Sequence, residues 1–295
     1  MRAIASRVIA TALDAVLGDF PRTIRVETTN ACNAKCIICP HGEMDRVTGI
    51  MTDELFHKIA AECAGARVDT LHLHNFGEPL VDKKLPERIA LCKSLGIRRV
   101  KIISNGSLLT EDRARALIDA GLDEIKISFD GANKEEFERI RAPLKYDQVV
   151  GNVIRLAEIR NEKGAKLRIN VTCSSTTDKD ATMSALEKHV DGFTFASIHN
   201  WADWESDTVA EGARHSRVRK PCSRVWQTFT ILADGRVSLC CLDYDGRVVL
   251  GNLAEDGQTI RSIWKNQAYR EIRARHREGR QGEIGICAGC SKAFW

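Results

Sequence analysis

The chain has 295 residues, 43 % of them hydrophobic, enough for one large domain or a domain with an appendage and far too many for a disulfide-stapled mini-protein. Its 44 Lys and Arg against 40 Asp and Glu leave a net charge of +4 spread along the chain, which indicates neither an acidic tail nor a nucleic-acid footprint. No apolar run approaches the roughly 18 residues of a membrane span, and Arg2, Arg7 and Asp14 interrupt the first apolar stretch, which does not suit a signal peptide; a cytoplasmic protein without nucleic-acid or membrane partners is expected.

In chain order, 4–17 reads as an amphipathic helix. Short β-type runs follow at 23–28, 69–74, 99–104, 124–129, 167–172 and 193–198. They alternate with helical runs at 53–64, 83–95, 111–120, 134–141 continuing into 147–162, and 180–189. Thr52 and Thr110 sit where N-caps belong, and Gly96 and Gly121 where helices stop. This rhythm predicts an α/β fold, a partial (β/α)6 TIM-like barrel with too few strands to close in the usual eight-stranded way. The charged, Trp-bearing stretch 199–221 has no period and reads as a linker. Asp234-Gly235 and Asp245-Gly246, set between apolar runs at 227–232, 236–239 and 247–250, predict hairpins. Ile260, Ile263, Trp264, Tyr269 and Ile272 then predict a helix over about 259–278. The expected organisation is an N-terminal helix (1–20), a barrel (21–198), a linker (199–221) and a small β-hairpin and helix module (222–295).

Eleven cysteines are too few for a secreted disulfide scaffold and many for an ordinary reducing compartment, and their clustering reads as metal ligation. Cys32-Asn-Ala-Lys-Cys36-Ile-Ile-Cys39 follows the first strand, at the carboxyl end where a parallel barrel places its active site. Three thiolates suit an iron–sulfur cluster that keeps one iron open to another ligand; a zinc knuckle completed by His41 is the alternative. The second group is Cys222, Cys240, Cys287 and Cys290, four thiols able to hold a closed cluster or, alternatively, a zinc ribbon. Cys63 and Cys92 fall within helices and read as buried small hydrophobes. Cys241 is a core filler, a substitute for Cys240 or a thiol facing the cavity, and Cys173, at the end of the fifth strand, belongs to the core or the lumen.

On these cysteines and their place after the first strand, the chain resembles the radical S-adenosylmethionine (SAM) superfamily. Gly77-Glu78-Pro79, Ser104-Asn105-Gly106 and Ser128-Phe129-Asp130-Gly131, at the ends of the second to fourth strands, are similar to that family's cofactor-binding turns, although each alone could be a plain turn. Ile38 stands where the family often has an aromatic residue. The C-terminal region, with twelve residues from Cys222 to Gly235 and four more to Cys240, resembles the Twitch form of the SPASM domain. The resemblance implies a [4Fe–4S] cluster on Cys32, Cys36 and Cys39 whose open iron binds SAM, and a 5′-deoxyadenosyl radical formed on reduction. It implies Gly77, Glu78 and Pro79 at the SAM amino group, and Ser104, Asn105, Ser128 and Asp130 near its carboxylate and ribose. It also implies one auxiliary [4Fe–4S] cluster on Cys222, Cys240, Cys287 and Cys290.

The activity implied is a radical SAM oxidoreductase acting on a small polar metabolite of sugar or aminocyclitol type, similar to the family's 2-deoxy-scyllo-inosamine dehydrogenase, with a reductant such as flavodoxin or ferredoxin as partner. An epimerase using Cys241 or Cys173 as hydrogen-atom donor is an alternative. So is a peptide-modifying enzyme, ranked lower because only about twenty residues precede the first strand. The remaining alternative is a non-catalytic iron–sulfur or zinc protein. His72, His74, Asn170, Thr172 and His199-Asn200-Trp201 are the polar residues expected near the barrel mouth, with His199 as the base.

Overall fold

The computed structural model describes residues 2–174, 178–202, 204 and 220–291; the greater part of the expected linker lies outside the described residues. Helix α1 (Arg2–Ala15) leads into β1 (Thr23–Val26), α2 (Asp53–Gly65), β2 (Thr70–His72), α3 (Leu85–Ser94), β3 (Arg99–Ser104), α4 (Glu111–Asp119) and β4 (Glu124–Ser128). Next come α5 (Lys134–Ile140), α6 (Tyr146–Glu162), β5 (Arg168–Ser174), α7 (Lys179–Ser184) and β6 (Gly192–Ala196). The C-terminal part comprises α8 (Arg224–Gln227), β7 (Thr228–Ile231), β8 (Arg236–Ser238), β9 (Val249–Asn252), α9 (Ile260–Trp264), α10 (Gln267–Arg277) and α11 (Gly285–Ala288). No helix among the described residues is long and apolar enough to cross a membrane.

The expected caps are present. Thr52 and Thr110 accept hydrogen bonds from the amides of Leu55 and Arg113, relieving orphan donors of the first turn. The helix expected over 259–278 is instead two helices. Asn266 caps α10 by accepting from the Tyr269 amide, and a residue that caps a new helix cannot continue the old one.

The strands form one open nine-stranded sheet in the order β6-β5-β4-β3-β2-β1-β7-β8-β9. β1 to β6 are the parallel units read from the sequence. The C-terminal hairpin does not stand apart from them: β7 pairs parallel with β1, Thr23 opposite Thr228 through Val26 opposite Ile231, and β8 and β9 continue antiparallel. The gap left by a six-unit barrel is therefore partly filled by the chain's own last quarter. On β1, Ile24 and Val26 are fully buried beneath the helices while Thr23 and Arg25 face the lumen, the two-residue alternation of a strand with different surroundings on its two sides.

Aromatic packing gives the C-terminal part its core. Phe229 on β7, Trp264 on α9 and Tyr269 on α10 meet with ring centroids 4.8–6.2 Å apart, and the Arg273 guanidinium lies 4.2 Å from the Trp264 ring. Helix α1 docks on the same unit: Asp14 accepts from Arg277 at 2.7 and 2.9 Å and from the Trp226 indole at 2.7 Å.

One buried carboxylate joins the parts. Glu27, just past β1, accepts two hydrogen bonds from Arg46 (2.6 and 2.9 Å), one from the Phe76 amide (3.2 Å) and one from the Ala233 amide (3.0 Å). Arg46 in turn donates to the Tyr244 carbonyl at 2.7 Å. Removing one partner of such a pair strands a buried charge, which costs on the order of 3–5 kcal/mol. Arg46→Met is expected to lower the chemical-denaturation midpoint accordingly, and Arg46→Met combined with Glu27→Gln to recover part of that loss.

Candidate active site

Above the carboxyl ends of the strands lies a cavity of about 340 Å³. Cys32, Cys36 and Cys39 line one side, Gly77, Glu78, Ser104, Asn105, Ser128 and Asp130 the strand ends, and Cys173, His199 and Trp201 the far side. Every candidate residue assigned to SAM and its cluster except Pro79 stands in this wall. His74 and Thr172 also line it, as expected; Asn170 does not, and instead donates to Glu124 at 3.3 Å.

The cysteine loop is fixed by its neighbours. Gly77 has φ +86°, and a Cβ there would come within 2.7–2.8 Å of the backbone of Thr29, Asn30 and Ala31, so only glycine lets this turn lie against the residues that precede Cys32. The Glu78 amide then donates to the Ala31 carbonyl at 2.8 Å. The Glu78 carboxylate accepts from the Ser104 hydroxyl and the Asn105 amide, both at 2.7 Å, and from the Leu80 amide at 3.1 Å. Burial raises its pKa, opposed by those donors, so this carboxyl orders the turns instead of facing a ligand. Asn33 completes the tie, accepting from Asn105 and donating to Ser107, each at 2.9 Å.

Asp130 is likewise committed. It pairs with Arg141 and accepts from the Ser174 amide, and Arg141 extends its other arm to Cys36 Sγ at 3.9 Å. Arg141 was absent from the sequence reading because it lies ten residues beyond the fourth-strand turn, with nothing in its neighbourhood to mark it. His41, the alternative ligand, donates from Nε2 to the Asn30 carbonyl at 2.7 Å.

Burial pushes the Cys32 thiol up to about 11 and those of Cys39 and Cys173 to about 12, with Cys36 also raised. Such thiols stay protonated at neutral pH until a metal displaces the proton. Cys63 and Cys92 are fully buried in α2 and α3.

A smaller hollow in the C-terminal part is lined by Cys222, Cys240, Cys287 and Cys290, the four thiols grouped from the sequence, together with Arg224 and His276. The buried His276 ring accepts from the Cys222 amide at 3.3 Å, which leaves its proton on Nε2, 4.0 Å from Cys287 Sγ. Cys241 lines neither hollow. It is hydrogen-bonded to Cys240, which lowers the Cys241 thiol and raises that of Cys240. Of the two thiols weighed as hydrogen-atom donors, Cys173 is the one in the cavity wall.

The segment 199–202 touches both hollows. His199 and Trp201 face the first, their rings 4.5 Å apart, and the Trp201 indole donates to the Ile38 carbonyl at 2.8 Å. Asn200 exchanges hydrogen bonds with Ser291 and donates to the Gly289 carbonyl at 2.8 Å, and Ala202 lines the second hollow. Trp201 and Ala202 hold φ of 44° and 79°, left-handed conformations that cost non-glycine residues on the order of 1–3 kcal/mol each.

All-sulfur donors around hollows of this kind suit an iron–sulfur cluster or zinc. Among the described residues no three Cys, His, Asp or Glu side chains already close on a single ion-sized point. In the first wall the three thiols of one loop share a cavity with enough room left for a further ligand, and that fits a cluster with an open iron beside SAM. Four thiols around the second fit a closed cluster.

Comparison with known proteins agrees with this division. Residues 26–170 match the radical SAM superfamily and 222–291 the SPASM iron–sulfur cluster-binding domain. Together these imply a SAM-binding [4Fe–4S] cluster and auxiliary iron–sulfur binding. A GTP 3′,8-cyclase of Chlorobaculum tepidum is 33 % identical over 141 residues, 46 % of this chain and 42 % of that protein; the chain spans about half or less of the length of such curated relatives. Among solved structures, BtrN in complex with AdoMet and 2-DOIA has a TM-score of 0.65 at 21 % identity, covering 91 % of this chain and 92 % of that one. SuiB of Streptococcus suis, bound to its precursor peptide SuiA, has a TM-score of 0.68 at 13 % identity, covering 97 % and 72 %. At these identities the two structures share the fold.

Below the cavity, burial and the adjacent Arg25 hold the His72 pKa down at about 3, against 6.5 for a free imidazole. Between those values the unfolded chain takes up a proton that the folded protein refuses, so stability falls as pH drops from about 6.5 toward 3. His72→Gln is expected to flatten part of that slope in denaturation midpoints measured across the window.

Proposed function

We propose that this chain, which joins a radical SAM domain to a SPASM domain, is an oxidoreductase that takes hydrogen from a small polyhydroxylated metabolite held in the barrel cavity, served by a reductant such as flavodoxin or ferredoxin. The observation that supports this most is the shared wall at 199–202, in which His199 lines the cavity with the first three thiols and Ala202, three residues on, lines the hollow with the other four. When bound, the two clusters and SAM supply hydrogen-atom abstraction on one side and a place for the substrate's surplus electron on the other.

The protein's own residues do the rest. Cys32, Cys36 and Cys39 hold the first cluster, and Cys222, Cys240, Cys287 and Cys290 the second. The backbone of Gly77, Glu78 and Pro79 receives the amino end of SAM, with Ser104, Asn105 and Ser128 along the same rim. Glu78 and Asp130 are positioning residues, since their carboxylates are spent on the neighbouring turns and on Arg141. His199 takes the proton from a substrate hydroxyl, which makes the carbon that lost hydrogen easier to oxidise. Trp201 and Phe76, 5.1 Å apart, shield that face from water.

Two specific observations favour other outcomes on the same scaffold. Cys173 in the wall favours epimerisation by hydrogen return from its thiol, and the cyclase relatives favour ring closure on GTP.

Anaerobic reconstitution followed by iron and sulfide counts, then SAM with dithionite, tests the reading. About eight irons per chain, as two four-iron clusters require, and release of 5′-deoxyadenosine are expected; zinc with no SAM cleavage overturns it. A panel of polyols and GTP in deuterated water then separates the reactions. An oxidised product supports the oxidoreductase. Deuterium at an inverted, unoxidised carbon that disappears in Cys173→Ala supports the epimerase, and a cyclised nucleotide the cyclase.

A further inference from the structure

The two thiol groups differ in the charge that surrounds them. In the first wall the cation Arg141 reaches Cys36 at 3.9 Å, but its charge is matched by Asp130, and Glu78 stands in the same wall. The second hollow has no Asp or Glu among its described lining residues, and its cation is Arg224. Among the described residues Arg224 makes no ion pair and no side-chain hydrogen bond. Burial opposes its charge, yet the thiols of Cys241, Cys240, Cys222 and Cys290 raise its pKa, so those sulfurs are the negative charge that its guanidinium faces. A guanidinium keeps its proton at any working pH, and a half-buried one without a carboxylate is costly until an anion arrives.

Hydrogen-bond donors add to that field. Cys222 Sγ accepts from the Arg224 amide, and Cys240 Sγ from the Leu242 amide at 3.4 Å. His276 brings a side chain to the same task. It is fully buried, edge-on to Trp226 with ring centroids 6.1 Å apart, and its Nδ1 accepts from the Cys222 amide at 3.3 Å. The proton is therefore on Nε2, 4.0 Å from Cys287 Sγ. Cys241 is the remaining charge to count: its bond with Cys240, and then Arg25 and Arg224, lower its thiol against burial. Counted as a thiolate it is one negative charge against two cations, and Arg25, like Arg224, makes no ion pair among the described residues. The balance around the four grouped thiols stays positive. An iron–sulfur cluster gains a negative charge when it is reduced, so a cation and N–H donors at its sulfurs favour the reduced form.

We propose that Arg224 and His276 are positioning residues that raise the reduction potential of the cluster held by Cys222, Cys240, Cys287 and Cys290, and thereby favour it as acceptor of the substrate's electron. This rests on those four thiols holding a cluster, as proposed above. In the reaction given there, the hydrogen atom on the substrate carbon passes to the 5′-deoxyadenosyl radical and the hydroxyl proton to His199. The one electron left over reduces the second cluster as the C–O bond becomes a carbonyl, so each hydrogen atom, proton and electron has a destination.

The test is a potentiometric titration of anaerobically reconstituted holoenzyme followed by electron paramagnetic resonance, with and without SAM. SAM alters the signal of the cluster it binds, so the signal it leaves alone reports the second cluster. Arg224→Gln is expected to lower the midpoint of that second signal, raising its oxidised-to-reduced ratio at a fixed potential roughly tenfold or more, about 59 mV for a one-electron couple. His276→Phe is expected to lower it by a smaller step, and Arg224→Lys, which keeps the charge, to stay near the wild type. The midpoint of the SAM-responsive cluster is expected to hold in all three, which a merely structural disturbance of the chain does not predict. Should His276→Phe fail to retain its second cluster, Arg224→Gln against Arg224→Lys decides. A second midpoint unchanged in Arg224→Gln, or lowered equally in Arg224→Lys, overturns the proposal, and loss of the second cluster from Arg224→Gln assigns that residue to folding and overturns it as well. Wild-type protein with a single redox-active cluster, or with zinc at the second thiols, overturns the two-cluster reading itself, and 5′-deoxyadenosine release in the same preparations shows whether the radical SAM site stands without it.

Discussion

The rest of the structure depends on the buried carboxylate of Glu27. It has no water to rely on, so it must be matched by protein donors, and the donors it uses come from three distant stretches: Arg46 beyond the first cysteine loop, the Phe76 amide beside the Gly77 turn, and the Ala233 amide in the C-terminal hairpin. One charge therefore holds the thiol loop, the cofactor-facing turn and the second module in a common frame. A hydrophobic joint of the same size would hold them less specifically, since apolar contacts tolerate sliding whereas a bidentate guanidinium does not.

From that frame follows the relation between the two thiol groups. Consecutive residues at 199–202 alternate between them, the last two by way of a left-handed turn. His199 and Trp201 belong to the cavity, Asn200 and Ala202 to the cysteines at the C-terminal end. The left-handed backbone at Trp201 and Ala202 is the local cost of that turn, held in place by the indole bond to Ile38 and by the ring of Phe76.

Much of this was legible in the sequence because its causes are local. Thr52 and Thr110 announce helix starts through hydroxyls that reach amides three residues on, and the three clustered thiols mark a strand end by spacing alone. The wall at the ends of the second to fourth strands was legible for the same reason, since each of its turns is a short run of residues. What was not legible depends on partners far along the chain. The pairing of β1 with β7 joins residues some two hundred positions apart, and no periodicity encodes it. Arg141 reaches Cys36 and Asp130 from a helix end without a motif, and Asp130 looks like a ligand residue until its arginine is seen. The preference between Cys241 and Cys173 turned on direction along a strand and around a turn, which composition does not carry. The break at Asn266 was legible in principle, because asparagine before a helical run favours capping over continuation.

The parallel seam between β1 and β7 also sets an order of events during synthesis. β1 is made some two hundred residues before β7, so one of its two edges has no partner until Ile231 has been added, and α1 waits still longer for Arg277. Until then the nascent barrel carries an unpaired strand edge, the feature by which sheets recruit the wrong neighbour. Contacts of such long sequence separation fold slowly, so the frame that brings the two thiol groups into register is completed only after the C-terminal hairpin has been made.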